Sequence, residues 1–129
     1  MSWRWISERT VLAIHTEQIR EHGGAHGVRD EGLLESALAR PQNLAAYAEP
    51  SRAELAAAYT WGIVRNHPFV DGNKRTGLLV GVAFVNLNGA TLTASEPSAV
   101  ETILLVADGK FEEADLSLWF ERHLSLPEA

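Results

Sequence analysis

The stretch from position 67 to position 75, HPFVDGNKR, concentrates several chemically active side chains within nine residues. His67 supplies an imidazole, the side chain that ordinarily changes charge near neutral pH and often serves as a general base. Asp71 adds a carboxylate, and Lys74 and Arg75 add two cations. This combination indicates proton transfer beside a bound anion. The simpler interpretation of His67 is a residue that only ends a helix.

The second half of this stretch favours an anion site. Gly72 permits a positive φ and a close approach of the backbone to a ligand. Asn73 tolerates the same geometry and offers a side-chain donor. If a helix begins here, its first N–H groups lack internal partners and its dipole favours an anion. Lys74 and Arg75 are unfavourable at that end by ~0.3–1 kcal/mol unless an anion is bound. The pair therefore favours a polyphosphate ligand over two merely solvated cations.

The carboxylate of Asp71 has two interpretations. It could bind Mg²⁺, which takes oxygen ligands and commonly shares its shell with substrate phosphates. It could also be the N-cap of the next helix, since aspartate is a favoured cap. Phe69 is expected to pack inward and fix the loop. Arg65 and Asn66 are candidates for the opposite wall, and an exposed arginine near a helix end is an equally good interpretation of Arg65. The stretch is not a Walker A loop, because no G-x-x-x-x-G-K-S/T occurs in the chain.

The helices on either side position this stretch. Pro68 disfavours helical geometry at His67, so the preceding helix is expected to end near Asn66. Ser51 followed by Glu54 forms a capping box, which predicts a helix over about 52 to 66. The segment after the motif, KRTGLLVGVAFVNLNG, is apolar almost all round and predicts a central buried helix. Its valines leave a strand possible.

Four further helices complete the predicted fold. Ser7 and Asp30 are candidate caps for the first two, with glycines at 23 and 24 ending the first and Pro41 ending the second. Pro97 suits the first turn of a fifth helix. That helix is predicted to bury Val100, Ile103, Leu104 and Val106. A last helix is predicted from Glu112 to Leu124, held by Leu116, Trp119, Phe120 and Leu124. The sequence thus predicts an all-α, compact bundle of about six helices in one domain spanning 1–129, with a short extended ATLTA before the fifth.

Composition excludes several functions. The chain has no cysteine, which rules out disulfides, thiolate catalysis and cysteine-ligated zinc. Its net charge of −6 argues against general nucleic-acid binding. No apolar run approaches the ~20 residues that span a bilayer, so no membrane role and a cytoplasmic location are expected. The four remaining histidines show no ligand spacing and are interpreted as surface or core residues: His15, His22, His26 and His123.

The nine residues resemble the motif of the Fic/Doc family, H-x-F-x-D/E-G/A-N-G/K-R. The match covers every defined position: His67, Phe69, Asp71, Gly72, Asn73, Lys74 and Arg75. Two flanking segments, GVRDEGLLESALARPQ and NGATLTA, resemble the Doc (death-on-curing) toxin branch. This resemblance covers most of the chain and implies a Fic-type fold.

Membership of the Doc branch would imply an enzyme, a kinase-like phosphotransferase. It would transfer the terminal phosphate of ATP to a protein hydroxyl, a threonine of elongation factor Tu, and arrest translation. The expected catalytic residues are His67, Asp71, Lys74 and Arg75. The expected donor-binding residues are Gly72, Asn73, Lys74 and Arg75, with magnesium on Asp71. The implied partner is a small antitoxin of the Phd type. Trp3 and Trp5 are candidate contacts for it, with core packing as the simpler interpretation.

Two departures from typical Fic proteins bear on the reaction. Those proteins have a glycine where this chain has Lys74 and an arginine where it has Leu78, and both belong to the site that orients ATP for AMP transfer. Their absence favours phosphate transfer over the alternative, nucleotidyl transfer. A catalytically idle binding module is the third hypothesis, against which the intact His67 and Asp71 argue. No S/T-x-x-x-E-G/N inhibitory helix occurs, so restraint is expected from a separate chain.

Overall fold

A computed structural model describes residues 2–127. This part of the chain forms six α-helices and one pair of two-residue strands. The helices are α1 Glu8–His22, α2 Glu31–Tyr47, α3 Arg52–Asn66, α4 Asn73–Leu87, α5 Glu96–Ala107 and α6 Glu113–Arg122. Strand β1, Thr91–Leu92, lies between α4 and α5 and pairs antiparallel with β2, Leu124–Ser125. The predicted all-α fold is confirmed.

Three helix starts follow from local capping, as predicted. The Ser7 and Asp30 side chains accept hydrogen bonds from N–H groups three residues later at the starts of α1 and α2. At the start of α3, Ser51 and Glu54 form the complete capping box. These side chains satisfy N–H groups that a helix leaves unpaired at its first turn. The predicted range of α3 is confirmed.

Helices α3 and α4 form the centre of the molecule and lie in very close contact. An added Cβ at Gly81 would lie 2.3 Å from Thr60 Oγ1 and 2.9 Å from a ring atom of Phe120. A Cβ at Gly77 would lie 2.8 Å from a methyl group of Val64. The two glycines of α4 thus let its backbone lie directly on α3. Of the two central helices, α3 is buried over the larger share of its length.

Helix α2 continues through Pro41 to Tyr47, so the prediction that it ends before Pro41 is wrong. A proline inside a helix removes one hydrogen bond and usually costs ~3 kcal/mol or more. Here Leu34, Ala37 and Pro41 lie on one buried face of α2. The packing of this face against α3 outweighs the local preference.

Helix α5 buries a different face from the predicted one. Ile103 and Val106 are buried, as predicted, together with Ala99 and Thr102. Val100 and Leu104, however, are 50% and 47% exposed, so their predicted core positions are wrong. The periodicity identified the helix, but two overlapping apolar stripes were available and only one of them packs on the core.

Helix α6 ends at Arg122, two residues before the predicted end. Leu116, Trp119 and Phe120 are buried as predicted. Leu124 lies instead in β2, where it pairs with Leu92 and packs on the core while half-buried. The pairing partner lies 32 positions earlier in β1, which explains why the local pattern did not indicate it.

The segment before α1 packs against the core. The Ile6 N–H donates to the hydroxyl of the buried Tyr59, 2.9 Å away. The rings of Trp3 and Trp5 lie 6.0 and 5.9 Å from that of Phe84. The structure therefore supports the interpretation that the two tryptophans pack against the core. Within residues 2–127, no helix is both long enough and apolar enough to cross a membrane.

Candidate active site

The motif loop, residues 67–72, joins α3 to α4 and begins with an unusual backbone conformation. Helix α3 ends at Asn66, as Pro68 predicted. His67 has φ 53° and ψ 53°, in the left-handed region, and its N–H donates to the carbonyl of Ile63. Among residues 2–127 it is the only non-glycine residue with a positive φ. Such conformations persist only where the surroundings hold them, and they cluster at functional sites.

The side chain of Arg29 holds this conformation from the outside. Its Nε donates to the His67 carbonyl over 2.7 Å, and a terminal nitrogen donates to the Asn66 carbonyl over 3.0 Å. The main-chain N–H groups of Arg29 and Asp30 both donate to the Pro68 carbonyl. A guanidinium on these carbonyls also complements the negative end of the α3 dipole.

The segment before α2 supports the rest of the loop through its backbone. The Val70 N–H donates to the Gly27 carbonyl over 3.1 Å. The Ala25 N–H donates to Asp71 Oδ2 over 2.7 Å. These contacts join residues 43 to 46 positions apart. Sequence analysis missed this support because neither segment carries a local signal of the other.

Gly72, not Asp71, is the N-cap of α4. It has φ 79° and ψ 16°, and no side chain caps the helix. The Asp71 carboxylate instead accepts the hydrogen bond from Ala25, and the residue is exposed at the loop surface. The N-cap interpretation of Asp71 is therefore wrong, and one of its oxygens, Oδ1, has no hydrogen-bond donor among residues 2–127.

The side chain of Asn73 faces the loop rather than solvent. Its Oδ1 accepts from the Phe69 N–H over 2.9 Å, and its Nδ2 donates to the Phe69 carbonyl over 3.0 Å. Phe69 itself is fully buried, as predicted. Asn73 thus offers a ligand its main-chain N–H, while its side-chain donor is already in use.

The N-terminus of α4 carries unused hydrogen-bond donors. The Thr76 N–H bonds to the Gly72 carbonyl. The N–H groups of Asn73, Lys74 and Arg75 have no acceptor within residues 2–127. The side chains of Lys74 and Arg75 are exposed, and neither forms an ion pair with a carboxylate in the described part of the chain. Donors and cations are thus available together to an anion.

All six predicted site residues line one pocket of about 450 Å³. The motif loop and the first turn of α4 form one side of it, together with Leu78. Helix α5 forms the other side. The lining residues are His67, Asp71, Gly72, Asn73, Lys74, Arg75, Leu78, Val100, Ile103 and Leu104. One wall is therefore polar and cationic, and the facing wall is apolar. Sequence analysis did not foresee the contribution of α5.

Two residues expected on the opposite wall lie elsewhere. Arg65 donates to the carbonyls of Val106 and Ala107 at the C-terminal end of α5, over 3.3 Å each. Asn66 donates through Nδ2 to the Leu33 carbonyl of α2. Both side chains connect α3 to its neighbours, and neither lines the pocket. The expectation that they face the ligand is wrong.

Comparison with known proteins identifies the family of the chain. A family model described as the Fic/DOC family matches residues 5–85, which is more than half of the chain and includes the whole motif loop. The chain therefore belongs to the Fic/DOC family. A curated relative, Toxin Doc of Mycolicibacterium smegmatis, is 45% identical over 76 residues. That alignment covers 56% of this chain and 57% of the relative, so it spans little more than half of either protein.

Proposed function

We propose that the protein is an enzyme that transfers the terminal phosphate of ATP to a hydroxyl of another protein. The observation that carries this proposal is that His67, the Asp71 carboxylate and the open N-terminus of α4 line one pocket. A proton acceptor and an anion site are the two components that such a transfer needs. Positioning and charge stabilisation supply most of the rate in this class of reaction.

The donor phosphates are held by the start of α4. The free N–H groups of residues 73–75 donate to phosphate oxygens, and the helix dipole adds to their attraction. Lys74 contributes a mobile positive charge, whereas Arg75 can donate to two oxygens at once. A pocket of about 450 Å³ lies within the usual size range of small-molecule sites. The apolar side chains of α5 offer a surface for the nucleoside.

The residues present also fit a magnesium ion. Asp71 places a carboxylate at the edge of the pocket, with Oδ1 free of hydrogen bonds within residues 2–127. Magnesium is commonly bound by one or two carboxylates together with substrate phosphates and water. When bound, the ion would neutralise part of the phosphate charge. The second oxygen of Asp71 stays with the Ala25 N–H, which fixes the carboxylate.

His67 performs the proton transfer. Its imidazole accepts the proton of the target hydroxyl, and the hydroxyl oxygen forms a bond to the terminal phosphorus. The bond between that phosphorus and the bridging oxygen breaks, and ADP leaves with the electron pair. Arg29 and the Ile63 carbonyl hold the His67 backbone at both ends, which fixes the point from which the imidazole reaches into the pocket.

The choice of phosphate transfer over nucleotide transfer rests on two side chains. Lys74 occupies the position where Fic proteins that transfer AMP have a glycine, and it adds a cation beside the phosphates. Leu78 lines the pocket where those proteins have an arginine. The pocket therefore lacks a guanidinium at position 78 and offers an ammonium at position 74. This arrangement supports a different placement of the triphosphate.

The family and the relative support the biological role that we propose. The relative carries the name Toxin Doc, which supports a toxin that is restrained by a separate antitoxin of the Phd type. The target we propose is a threonine of elongation factor Tu, whose modification would arrest translation in the cytoplasm. Val100 and Leu104 on the α5 wall of the pocket are half exposed, so the part of their surface that faces outward also suits contact with a protein substrate.

Isotope transfer separates the possible reactions. The purified chain, free of antitoxin, is incubated with Mg²⁺, elongation factor Tu and ATP labelled at either the α or the γ phosphate. Transfer of the γ label alone is expected, and the His67→Ala variant is the control. Transfer of the α label would show nucleotidyl transfer instead. The incubation is repeated with a whole-cell extract in place of the factor. If the folded protein transfers neither label to the factor or to the extract, it is a binding module without catalysis.

A further inference from the structure

His15 lies on α1 directly beneath the motif loop. It is 4% exposed and is one of the few buried polar side chains of the molecule. Its ring stacks on that of Phe69, with a centroid distance of 3.8 Å and an interplanar angle of 8°. Its Nε2 lies 2.8 Å from the main-chain carbonyl oxygen of Asp71. A carbonyl oxygen only accepts, so His15 Nε2 carries the hydrogen and donates.

Packing alone does not account for a histidine at this position. The space beneath the loop is small, since a Cβ at Gly72 would lie 3.1 Å from Ile19 and 3.7 Å from the His15 ring. Phenylalanine, although its six-membered ring is larger than imidazole, is also a flat aromatic side chain that can stack on Phe69. It would leave the Asp71 carbonyl without its donor. The feature peculiar to histidine here is the N–H group.

Asp71 is consequently held at two separate points. His15 binds its main-chain carbonyl, and the Ala25 N–H binds Oδ2 of its side chain at 2.7 Å. One contact fixes the backbone and the other fixes the carboxylate, so together they limit rotation of the side chain. The remaining oxygen is the one available to a cation in the pocket.

We infer that His15 is a positioning residue, which acts through Asp71 and prepares its carboxylate to bind a divalent cation. This inference rests on the cation-binding part of the proposed function. Groups that orient a metal ligand typically contribute ~10–100-fold to metal affinity. Since His15 touches the ligand's backbone rather than its carboxylate, the lower end of this range is expected.

Paired variants test the role of the N–H group. His15→Phe keeps an aromatic ring on Phe69 and removes the donor, whereas His15→Gln places an amide N–H near the position of Nε2. Binding of Mn²⁺ is followed by electron paramagnetic resonance in the presence of a non-hydrolysable ATP analogue. We expect ~10-fold weaker binding in His15→Phe and recovery by His15→Gln to within about threefold. Equal affinity in His15→Phe and the unaltered chain would overturn the inference, as would a glutamine variant no better than phenylalanine.

Two measurements keep the test independent of the proposed function. Nitrogen NMR of the unaltered chain is expected to show a hydrogen on His15 Nε2, and the opposite tautomer would overturn the inference even if no variant folds. Hydrogen exchange at the Ala25 amide is expected to be faster in His15→Phe, because Asp71 is released. If the unaltered chain binds no Mn²⁺, the proposed cation site is wrong. If hydrogen exchange at Ala25 is also unchanged in His15→Phe, then His15 does not position Asp71.

Discussion

The side chain of Asn73 and the main chain of Phe69 form a closed pair of hydrogen bonds, one in each direction. The two contacts measure 2.9 and 3.0 Å and are both buried. The first residue of α4 is thereby joined to the middle of the loop that precedes it. The motif loop is thus a closed structure held from within, in addition to its support from residues 25–30.

Replacement of this asparagine is expected to affect stability first. Asn73→Ala leaves the Phe69 N–H and carbonyl unpaired in a buried site, which should lower the free energy of unfolding by ~1–3 kcal/mol. Urea unfolding followed by circular dichroism measures this change. If the side chain instead acted mainly on the nucleotide, the variant would keep its unfolding midpoint and only its KM for ATP would rise.

Replacement of His67 separates catalysis from backbone strain. His67→Ala removes the proposed general base and should lower turnover by ~10²–10⁴. His67→Gly should be equally inactive but more stable than the alanine variant by roughly 0.5–1 kcal/mol, because glycine adopts φ 53° freely. Transfer of the γ label and urea unfolding check the two effects. Activity near that of the unaltered chain in either variant would remove His67 from the mechanism.

Lys74 is expected to act on the donor nucleotide. Lys74→Ala removes an exposed cation that forms no ion pair within residues 2–127, so without a ligand the free energy of unfolding should rise by ~0.3–1 kcal/mol, because a cation at a helix N-terminus is unfavourable. Binding of Mg·ATP should weaken by ~10-fold, since a charged hydrogen bond to phosphate is lost. Calorimetric titration measures the affinity. Lys110→Ala, at an exposed lysine outside the pocket, is the matched control and should bind as the unaltered chain does.

Local sequence signals correctly predicted those helix ends that are determined by residues a few positions away. The caps at Ser7, Asp30 and Ser51 are of this kind, and so is the end of α3 before Pro68. The motif also predicted which six residues line one pocket. These features depend on contacts within a few positions, which a periodicity or a spacing can reveal.

The errors arose where distant segments decide the outcome. Pro41 stays within α2 because the buried face of that helix packs on α3. Leu104 is exposed because only one of two apolar stripes on α5 reaches the core. His15 and Arg29 contact the motif loop from 56 and 38 positions away. No pattern within either segment indicates such contacts.

Tyr59 should make the fold sensitive to alkaline pH. Burial raises the pKa of this phenol, an effect that its hydrogen bond to Ile6 only partly offsets. Below the ordinary pKa of about 10 the group is neutral in both states. Above it, the unfolded chain ionises more readily, so stability falls as pH rises.

The Tyr59→Phe variant tests this dependence. The free energy of unfolding of Tyr59→Phe should no longer include the decrease above about pH 10 that ionisation of Tyr59 causes in the unaltered chain. The variant should also be ~1–3 kcal/mol less stable at pH 7, because the buried Ile6 N–H loses its acceptor. Urea unfolding at several pH values measures both effects. Tyr47→Phe, at a 91% exposed side chain, is the control. An identical alkaline slope in Tyr59→Phe and the unaltered chain would contradict the assignment.

The α3–α4 contact should not accept a methyl group. In Gly81→Ala the new Cβ would overlap Thr60 and Phe120. Overpacking of this kind typically costs ~1–3 kcal/mol, which exceeds the gain of about 1 kcal/mol in helix propensity. Gly32→Ala, in the exposed first turn of α2 with its nearest contact at 3.4 Å, is the control and should be neutral or stabilising. Comparable urea midpoints for both variants would show that the helices can move apart.

The support from residues 25–30 consists largely of backbone groups: the N–H groups of Ala25, Arg29 and Asp30 and the carbonyl of Gly27. Every residue carries such a carbonyl, and every residue except proline carries such an N–H group. Four of the six residues have further roles: Gly27 has φ 112°, Val28 packs on the core, Arg29 donates through its guanidinium and Asp30 caps α2. Ala25 and His26 contribute no side-chain contact to the loop and should tolerate replacement, except by proline at position 25. Adding or deleting a single residue in this segment would shift every donor out of register with the motif loop. The length of this segment is therefore a property on which the conformation of the motif loop depends.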